Sequence, residues 1–378
     1  MAAADAMAVA DAGHVYADHA ATSWPKPAAV VEAVRRYLTE IGVAPGRGSG
    51  SRTAAAERIV ARCRSRLAEM FACPTEHLVL TAGGTDSLNL AIRGLVGPDD
   101  AIVCSAVDHN AVLRPAALAK LTVVPCDRFG RIDSIAWGEA IARVRPRLAC
   151  INHASNVTGV VQDAGGLTQI AHEAGVPVLL DACQTAGEDR FDWAATGADL
   201  IAASGHKGLL GPLGVGLLAI RGDAMPQPLR LGGTGGSSEG LAMPDVVPLR
   251  YEAGSVNGPA IAGLLAAIEN RPPAAPLDLS ALDAALATGS LSDPVAGTEA
   301  ERLPTRSFAI DRLSPHDAAA ILEASFGVEA RAGLHCAPLM HESLGSAAGG
   351  GLVRVSFGPM STQRDVDAVA AALGELAA

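Results

Sequence analysis

Between residues 77 and 220 the chain returns seven times to a short apolar run: "HLVLT", "AIVCS", "LTVVPC", "RLACIN", "VPVLLD", "DLIAAS" and "VGLLAI". None alternates polar with apolar residues, as a strand with one wet face would, so each reads as a strand buried on both faces. Stretches of helical period over 85–95, 111–120 and 166–174 separate several of them. Strands alternating with helices call for crossover connections, hence a mostly parallel sheet covered on both sides. The expected fold class is α/β.

The flanks add a second unit. Helices are expected over 25–37 and 54–71, ahead of the first run. The Pro/Ala-rich "RPPAAPLDL" at 271–279 reads as a boundary. Beyond it come a strand in "RSFAI", a helix opened by Ser314-Pro315, strands in "VEARA" and "LVRVSF", and a last helix from Thr362. This divides the chain into an N-terminal segment (1–24), a large domain (25–270) and a smaller C-terminal α+β domain (271–378).

A formal charge of -11 repels nucleic acid and anionic lipid, so neither is expected as a partner. The most apolar stretch, 209–220, is broken by Gly211, Pro212, Gly214 and Gly216, and the N-terminus lacks the basic start of a secretory signal. A cytoplasmic enzyme is the expectation. Seven scattered cysteines without a CxxC pair fit neither a disulfide framework nor a zinc finger.

Ligands of open parallel sheets collect at the carboxyl ends of the strands. Here those ends run into "TAGGTDS", "AVDHN", "ASNVTG", "DACQ" and "SGHK". Together they suit a phosphorylated aromatic aldehyde. Backbone N–H groups of "GGT", around Gly84, open a helix toward a phosphate, and Thr85 and Ser204 add hydroxyl donors. Asp181 can pair with a protonated ring nitrogen, Lys207 can condense with the aldehyde, and His109 can stack on the ring and relay protons. Taken singly, each residue has a plainer reading: Lys207 a solvated charge, Asp181 a helix cap, His109 a structural histidine. "TAGGT" alone has neither the GxGxxG nor the P-loop spacing. Their order along successive strand ends is what argues for a site.

The segments "VYADHAATSWPKP", "TAGGTDSLNLAI", "AVDHNAVLRP", "ASNVTGVVQD", "LLDACQTAG", "SGHKGLLGPLGVG" and "YEAGSVNGPAIAGL" resemble, in this order, the class V aminotransferase superfamily of pyridoxal-phosphate enzymes. Within it they are most similar to cysteine desulfurases. The resemblance implies the fold type I architecture of aspartate aminotransferase, with a large cofactor-binding domain and a smaller C-terminal one. It implies that Lys207 holds the cofactor aldehyde, Asp181 pairs with the pyridine nitrogen, and Gln184 and Asn156 lie by the ring hydroxyl or the substrate. It assigns the phosphate to Gly84, Thr85, Ser204 and His206. Ser255, where the family carries a threonine, would serve the neighbouring subunit's phosphate site, which implies a homodimer with composite sites.

The segment "RAGLHCAPLMHESLG", 331–345, bears on the reaction. Out of context Cys336 reads as a core thiol, and His335, Cys336 and His341 lack a fourth ligand spaced for a metal, so no metal is expected. Next to Arg331 and His335, however, the thiol has cations at hand to stabilise a thiolate. The segment is similar to the R-x-G-x-H-C of desulfurases, which implies that Cys336 takes sulfur from cysteine as a persulfide, later removed by a thiol or an acceptor protein. Arg354 matches the arginine that clamps the substrate carboxylate, and the resemblance places Arg331, Asn156, His335 and Ala21 with it. The short interval before the next strand fits a thiol held near the cofactor. Lysis of selenocysteine or of a cysteine S-conjugate, or epimerisation of an amino acid, would use the same cofactor residues. A non-catalytic descendant would have lost Lys207, Asp181 or Arg354, and all three are present. The chain departs from the family pattern at Ser51, where a histidine is common, at Asn110, and in the short interval from 270 to 303.

Overall fold

A computed structural model describes residues 14–188, 190–235, 240–273 and 275–377. After a short β1 (Val15–Tyr16), all seven apolar runs form strands: β2 (Leu78–Thr81), β3 (Ala101–Ser105), β4 (Lys120–Val124), β5 (Leu148–Asn152), β6 (Val178–Asp181), β7 (Leu200–Ser204) and β8 (Gly216–Ile220). They make one sheet in the order β2-β8-β7-β6-β5-β3-β4. Neighbours from β7 to β4 are parallel, and β8 runs antiparallel to both β7 and β2. The reversal at β8 has a local cause, because only a turn and no crossover helix joins it to β7.

Each strand feeds two apolar clusters by turns. Leu80, Ile151, Leu180 and Ile201 pack on one face, below the helices Ser51–Met70, Ser134–Val144 and Gly258–Glu269. Val79, Cys150, Leu179 and Leu200 pack on the other, below Gly84–Leu95 and Asn110–Ala116. Burial on both faces is why the runs do not alternate. The chain moves outward from β3 to β4 and then returns to the other side of β3 for β5, so the sheet's switch point, where a ligand crevice opens, lies between β3 and β5.

Ser134–Val144 and Gly258–Glu269 are among the helices that go beyond the periodicity reading. Asp133 caps Ser134–Val144 by accepting from Ile135 and Ala136 N–H, and Asn257 caps Gly258–Glu269 by accepting from Ala260 N–H. The helical reading of 111–120 runs too long: the helix carries Pro115 in its last turn and stops at Ala116, and Lys120 opens β4.

The C-terminal part forms an antiparallel sheet in the order β12-β13-β10-β9, from β9 (Leu291–Ser292), β10 (Thr305–Ile310), β12 (Arg331–Gly333) and β13 (Leu352–Ser356). The helices Ser280–Leu286, Pro315–Phe326 and Gln363–Ala377 cover it around Phe308, Leu322 and Val366. "VEARA" is two strands rather than one, because β11 (Val328–Glu329) pairs with β1 while β12 joins the other sheet. Residues 15–23 thus start beside β11, continue along Ser356, and end with Ser23 N–H on the carbonyl of His206. No helix among the described residues is long and apolar enough to cross a membrane.

Candidate active site

The ends of β5, β6 and β7 open on a cavity with about 380 Å³ of empty space, lined among others by Thr85, His109, Asn156, Asp181, Gln184, Ser204 and Lys207. Asp181 ends β6, is buried, and accepts from Cys183 N–H at 2.9 Å. Lys207 sits in the tight turn between β7 and β8, where Gly205 N–H donates to Val215 and Leu210 N–H to the Lys207 carbonyl, at 2.9 and 2.8 Å. Burial lowers the Lys207 pKa; Cys183 and Asp181 act against it, and the Arg354 and Arg331 charges add to it.

His109 caps the helix Asn110–Ala116 with its own ring, Nδ1 accepting from Ala111 N–H at 3.0 Å. An accepting Nδ1 carries no proton, so the neutral ring holds its hydrogen on Nε2. Burial pushes the His109 pKa down to about 4, against the pull of Asp181. A relay through this ring would therefore use Nε2 alone. Gly84 opens the helix Gly84–Leu95, where a Cβ would overlap Cys183 Sγ and stand 2.5 Å from Ser204 Oγ. Thr85 follows it, exposed.

Gln184 donates from Nε2 to the Ala20 carbonyl at 3.0 Å and forms, with Lys207, the wall shared with a second cavity lined by His19, Ala20, Ser23 and Phe357. Ala20 lines that space and Ala21 does not. His206 does not line the Lys207 cavity either: its Nδ1 lies 3.0 Å from Thr22 Oγ1, and its carbonyl accepts from Ser23 and Lys26. Ser255 belongs to a separate cavity with Arg230 and Asn257.

In the C-terminal sheet, Arg331 in β12 and Arg354 in β13 are register partners. Arg354 is 1% exposed, donates from Nη1 to the Asn156 carbonyl at 2.9 Å, and pairs through Nη2 with the Asp18 carboxylate. Asn156 Nδ2 donates to the His335 carbonyl at 2.7 Å, and Asn110 N–H to the Cys336 carbonyl, also at 2.7 Å. The thiol-bearing turn is thereby pinned beside His109, with Cys336 exposed and with positive φ at His335 (49°) and Cys336 (57°).

The expectation of a cation at His335 needs correction. Its Nε2 lies 3.2 Å from the Arg331 carbonyl, which only accepts, so Nε2 carries the proton and Nδ1, 3.2 Å from His341 Nε2, accepts. His341 Nδ1 in turn accepts from Ser346 Oγ at 2.8 Å. Burial first, then the Arg354 charge, pushes the His335 pKa down to about 2, and burial pushes His341 to about 4. Both rings are neutral at ordinary pH, and the cation in this segment is Arg331.

Three residues escaped the sequence reading. Asn152 lines the Lys207 cavity as the register partner of Asp181, its Oδ1 buried and without a hydrogen-bond partner among the described residues. Its place as the last residue of an apolar run hid it. Cys183, inside "DACQ", lines the same cavity. Asp18 meets Arg354 across 336 positions of chain, and no local pattern signals that.

The chain matches the sequence profile of the family described as aminotransferase class V over residues 15–369. It is 31% identical to a probable cysteine desulfurase of Methanothermobacter thermautotrophicus, covering 96% of this chain and 95% of that one. It is also 31% identical to the cysteine desulfurase CsdA of Escherichia coli, over 96% and 93%. Among solved structures it superposes on a cysteine desulfurase from Thermococcus onnurineus with a TM-score of 0.85 at 28% identity, over 96% and 94% of the two chains. E. coli CsdA in an S-sulfonic acid form gives a TM-score of 0.81 at 28% identity, over 98% and 96%.

Proposed function

The chain belongs to the class V aminotransferase family, and from that premise we infer that it is a pyridoxal-phosphate-dependent cysteine desulfurase. The observation that carries the reading is the convergence of Lys207, Asp181, His109 and Asn156 on one cavity, with buried Arg354 on the Asn156 carbonyl and the Cys336 turn held by Asn156 and Asn110.

The residues fit the cofactor. At Gly84 there is no room for a Cβ between Cys183 and Ser204, as a backbone cradle for phosphate requires, and Ser204 supplies a hydroxyl beside it. The buried oxygens of Asn152 and Asn156 have no partner among the described residues and await polar atoms of a ligand. Lys207 would hold the aldehyde, Asp181 the ring nitrogen, Gln184 and Asn156 the ring hydroxyl or the substrate, and His109 one face of the ring. When bound, the ring supplies an electron sink for charge developing at the substrate's α-carbon.

Burial favours the neutral amine of Lys207, the form that can accept an α-proton. Arg354 and Arg331 orient the substrate carboxylate. Cys336 attacks the substrate sulfur as the thiolate. The carbon–sulfur bond breaks, a sulfur–sulfur bond forms, and L-cysteine plus enzyme thiol becomes L-alanine plus enzyme persulfide. A thiol or an acceptor protein in the cytoplasm then removes the outer sulfur. Ser255 lines a different cavity from Lys207 in its own chain, which favours a homodimer in which it serves the partner's phosphate site.

With L-cysteine, the purified holoenzyme should form one alanine per sulfur released. Lys207→Ala should lose the covalent cofactor link, and Cys336→Ala should stop sulfur release while keeping the cofactor's absorbance. Pyruvate and ammonia as products, or racemised substrate, would overturn the assignment.

A further inference from the structure

Arg354 is almost wholly buried, and its five donors are only partly used. Nη1 holds the Asn156 carbonyl, Nη2 holds Asp18, and Nε is buried without a partner among the described residues. Asp18 is no loose surface acid that strays onto this guanidinium. The residues on either side of it are bound by main chain: Ala17 N–H to Glu329 and Ser356 N–H to Ala17, at 2.9 and 2.7 Å, then His19 N–H to Ser356 at 3.2 Å. Ala20 N–H reaches Ser356 Oγ at 2.9 Å, and Tyr16 Oη donates to the Asp18 carbonyl at 3.1 Å. The carboxylate is preorganised against Arg354, and its side chain is 20% exposed.

We propose that Asp18 is a built-in counter-ion of the carboxylate subsite. It holds the Arg354 charge in the empty site and competes there with the substrate's own carboxylate, so that only a carboxylate anchored at a second point binds well. This rests on the reading of Arg354 as the carboxylate clamp. A buried guanidinium without a counter-charge is strongly disfavoured, so any small anion entering an uncompensated site would gain most of that penalty back. With Asp18 in place the gain is already taken. A free carboxylic acid then finds little to recommend the site, whereas an amino acid, held also at its amine, still displaces or shares the Asp18 contact. Asp18 is thus a specificity-determining residue for ligands that carry both groups.

The test compares propionate, a carboxylate without an amine, with propionamide, its neutral isostere, as inhibitors of the holoenzyme and of Asp18→Asn. The asparagine keeps an oxygen for Nη2 and removes the charge. The inhibition constant of propionate should fall about tenfold in the variant while that of propionamide stays level, and propionate should raise the variant's melting temperature more than the wild type's. A structural disturbance would move both inhibitors alike. An unchanged or higher propionate constant, or an equal change for propionamide, would overturn the proposal. Should Asp18→Asn not fold, Asp18→Ser serves for the same pair of constants. If propionate neither inhibits nor stabilises either protein, and Arg354→Gln leaves the KM for cysteine unchanged, the clamp itself is refuted and the counter-ion with it.

Discussion

Asp108, the residue before His109, is fully buried, and replacing it should stabilise the protein relative to the wild type increasingly as pH rises to about 7. One carboxyl oxygen accepts from Ser105 N–H at 2.7 Å and Ser105 Oγ at 2.9 Å; the other has no partner among the described residues. Burial raises its pKa from 3.8 to about 7, against the Ser105 hydrogen bonds and with help from Asp181. The folded state therefore keeps a proton that the unfolded chain releases above pH 3.8, and between 3.8 and about 7 it binds more protons than the unfolded state. Stability from this group is full below the unfolded value and is lost as pH rises through the folded one. Across the whole window the loss is roughly 4 kcal/mol, and between pH 5.5 and 8 it is roughly 2 kcal/mol. Asp108→Asn keeps the acceptor for Ser105 and does not titrate. Urea unfolding of the two holoenzymes at pH 5.5 and 8 should show the variant gaining about 2 kcal/mol on the wild type at the higher pH. Other ionisable groups are common to both proteins and drop out of the difference. A gap between the two proteins that is equal at both pH values would refute a protonated Asp108.

Gly84→Ala should destabilise the protein by about 1–3 kcal/mol in urea unfolding, because its Cβ must displace Cys183 and Ser204, and should weaken pyridoxal-phosphate binding measured by fluorescence titration. Equal cofactor affinity in the two proteins would show that the cradle yields without consequence. In nitrogen-15 spectra of histidine-labelled protein, His109 should remain the neutral Nε2–H tautomer from pH 6 to 8. A titration in that range would break the cap and contradict the structure.

The sheet was legible because a strand buried on both faces writes its burial into every residue. Val79 and Leu80, or Cys150 and Ile151, point to opposite clusters and both must be apolar. The rim residues Asp181, Ser204 and Lys207 were legible for the complementary reason, as polar residues abruptly ending such runs. What failed to show were contacts between distant segments. The ring of His335 reads as a cation beside a thiol until its burial and the neighbouring Arg354 charge, neither visible in the local sequence, make the neutral form the favoured one. Asn152 looks like strand until its register with Asp181 puts it in the cavity. The stop at Ala116 was hidden because Ala117–Ala119 keep an apolar pattern after the helix ends.

The positive φ values at His335 and Cys336 bear on how the thiol works. Two successive non-glycine residues in the left-handed region cost on the order of 1–3 kcal/mol each, and such a turn persists only where its surroundings over-determine it. Here the constraint is explicit: the carbonyls of these two residues are each held, His335 by the Asn156 amide and Cys336 by the Asn110 N–H. Asn156 follows β5 and also receives Arg354 on its own carbonyl, and Asn110 follows His109 at the end of β3. The turn is therefore fastened to both sides of the crevice where the sheet's connectivity reverses. A main-chain N–H does this work at Asn110, so the side chain there is free to depart from the family pattern. Under the proposed function, a thiol fixed in this way would meet substrate sulfur by orientation rather than by search, at the expense of reach toward a distant acceptor. Arg331 remains the one guanidinium within the 331–345 segment, beside a neutral histidine.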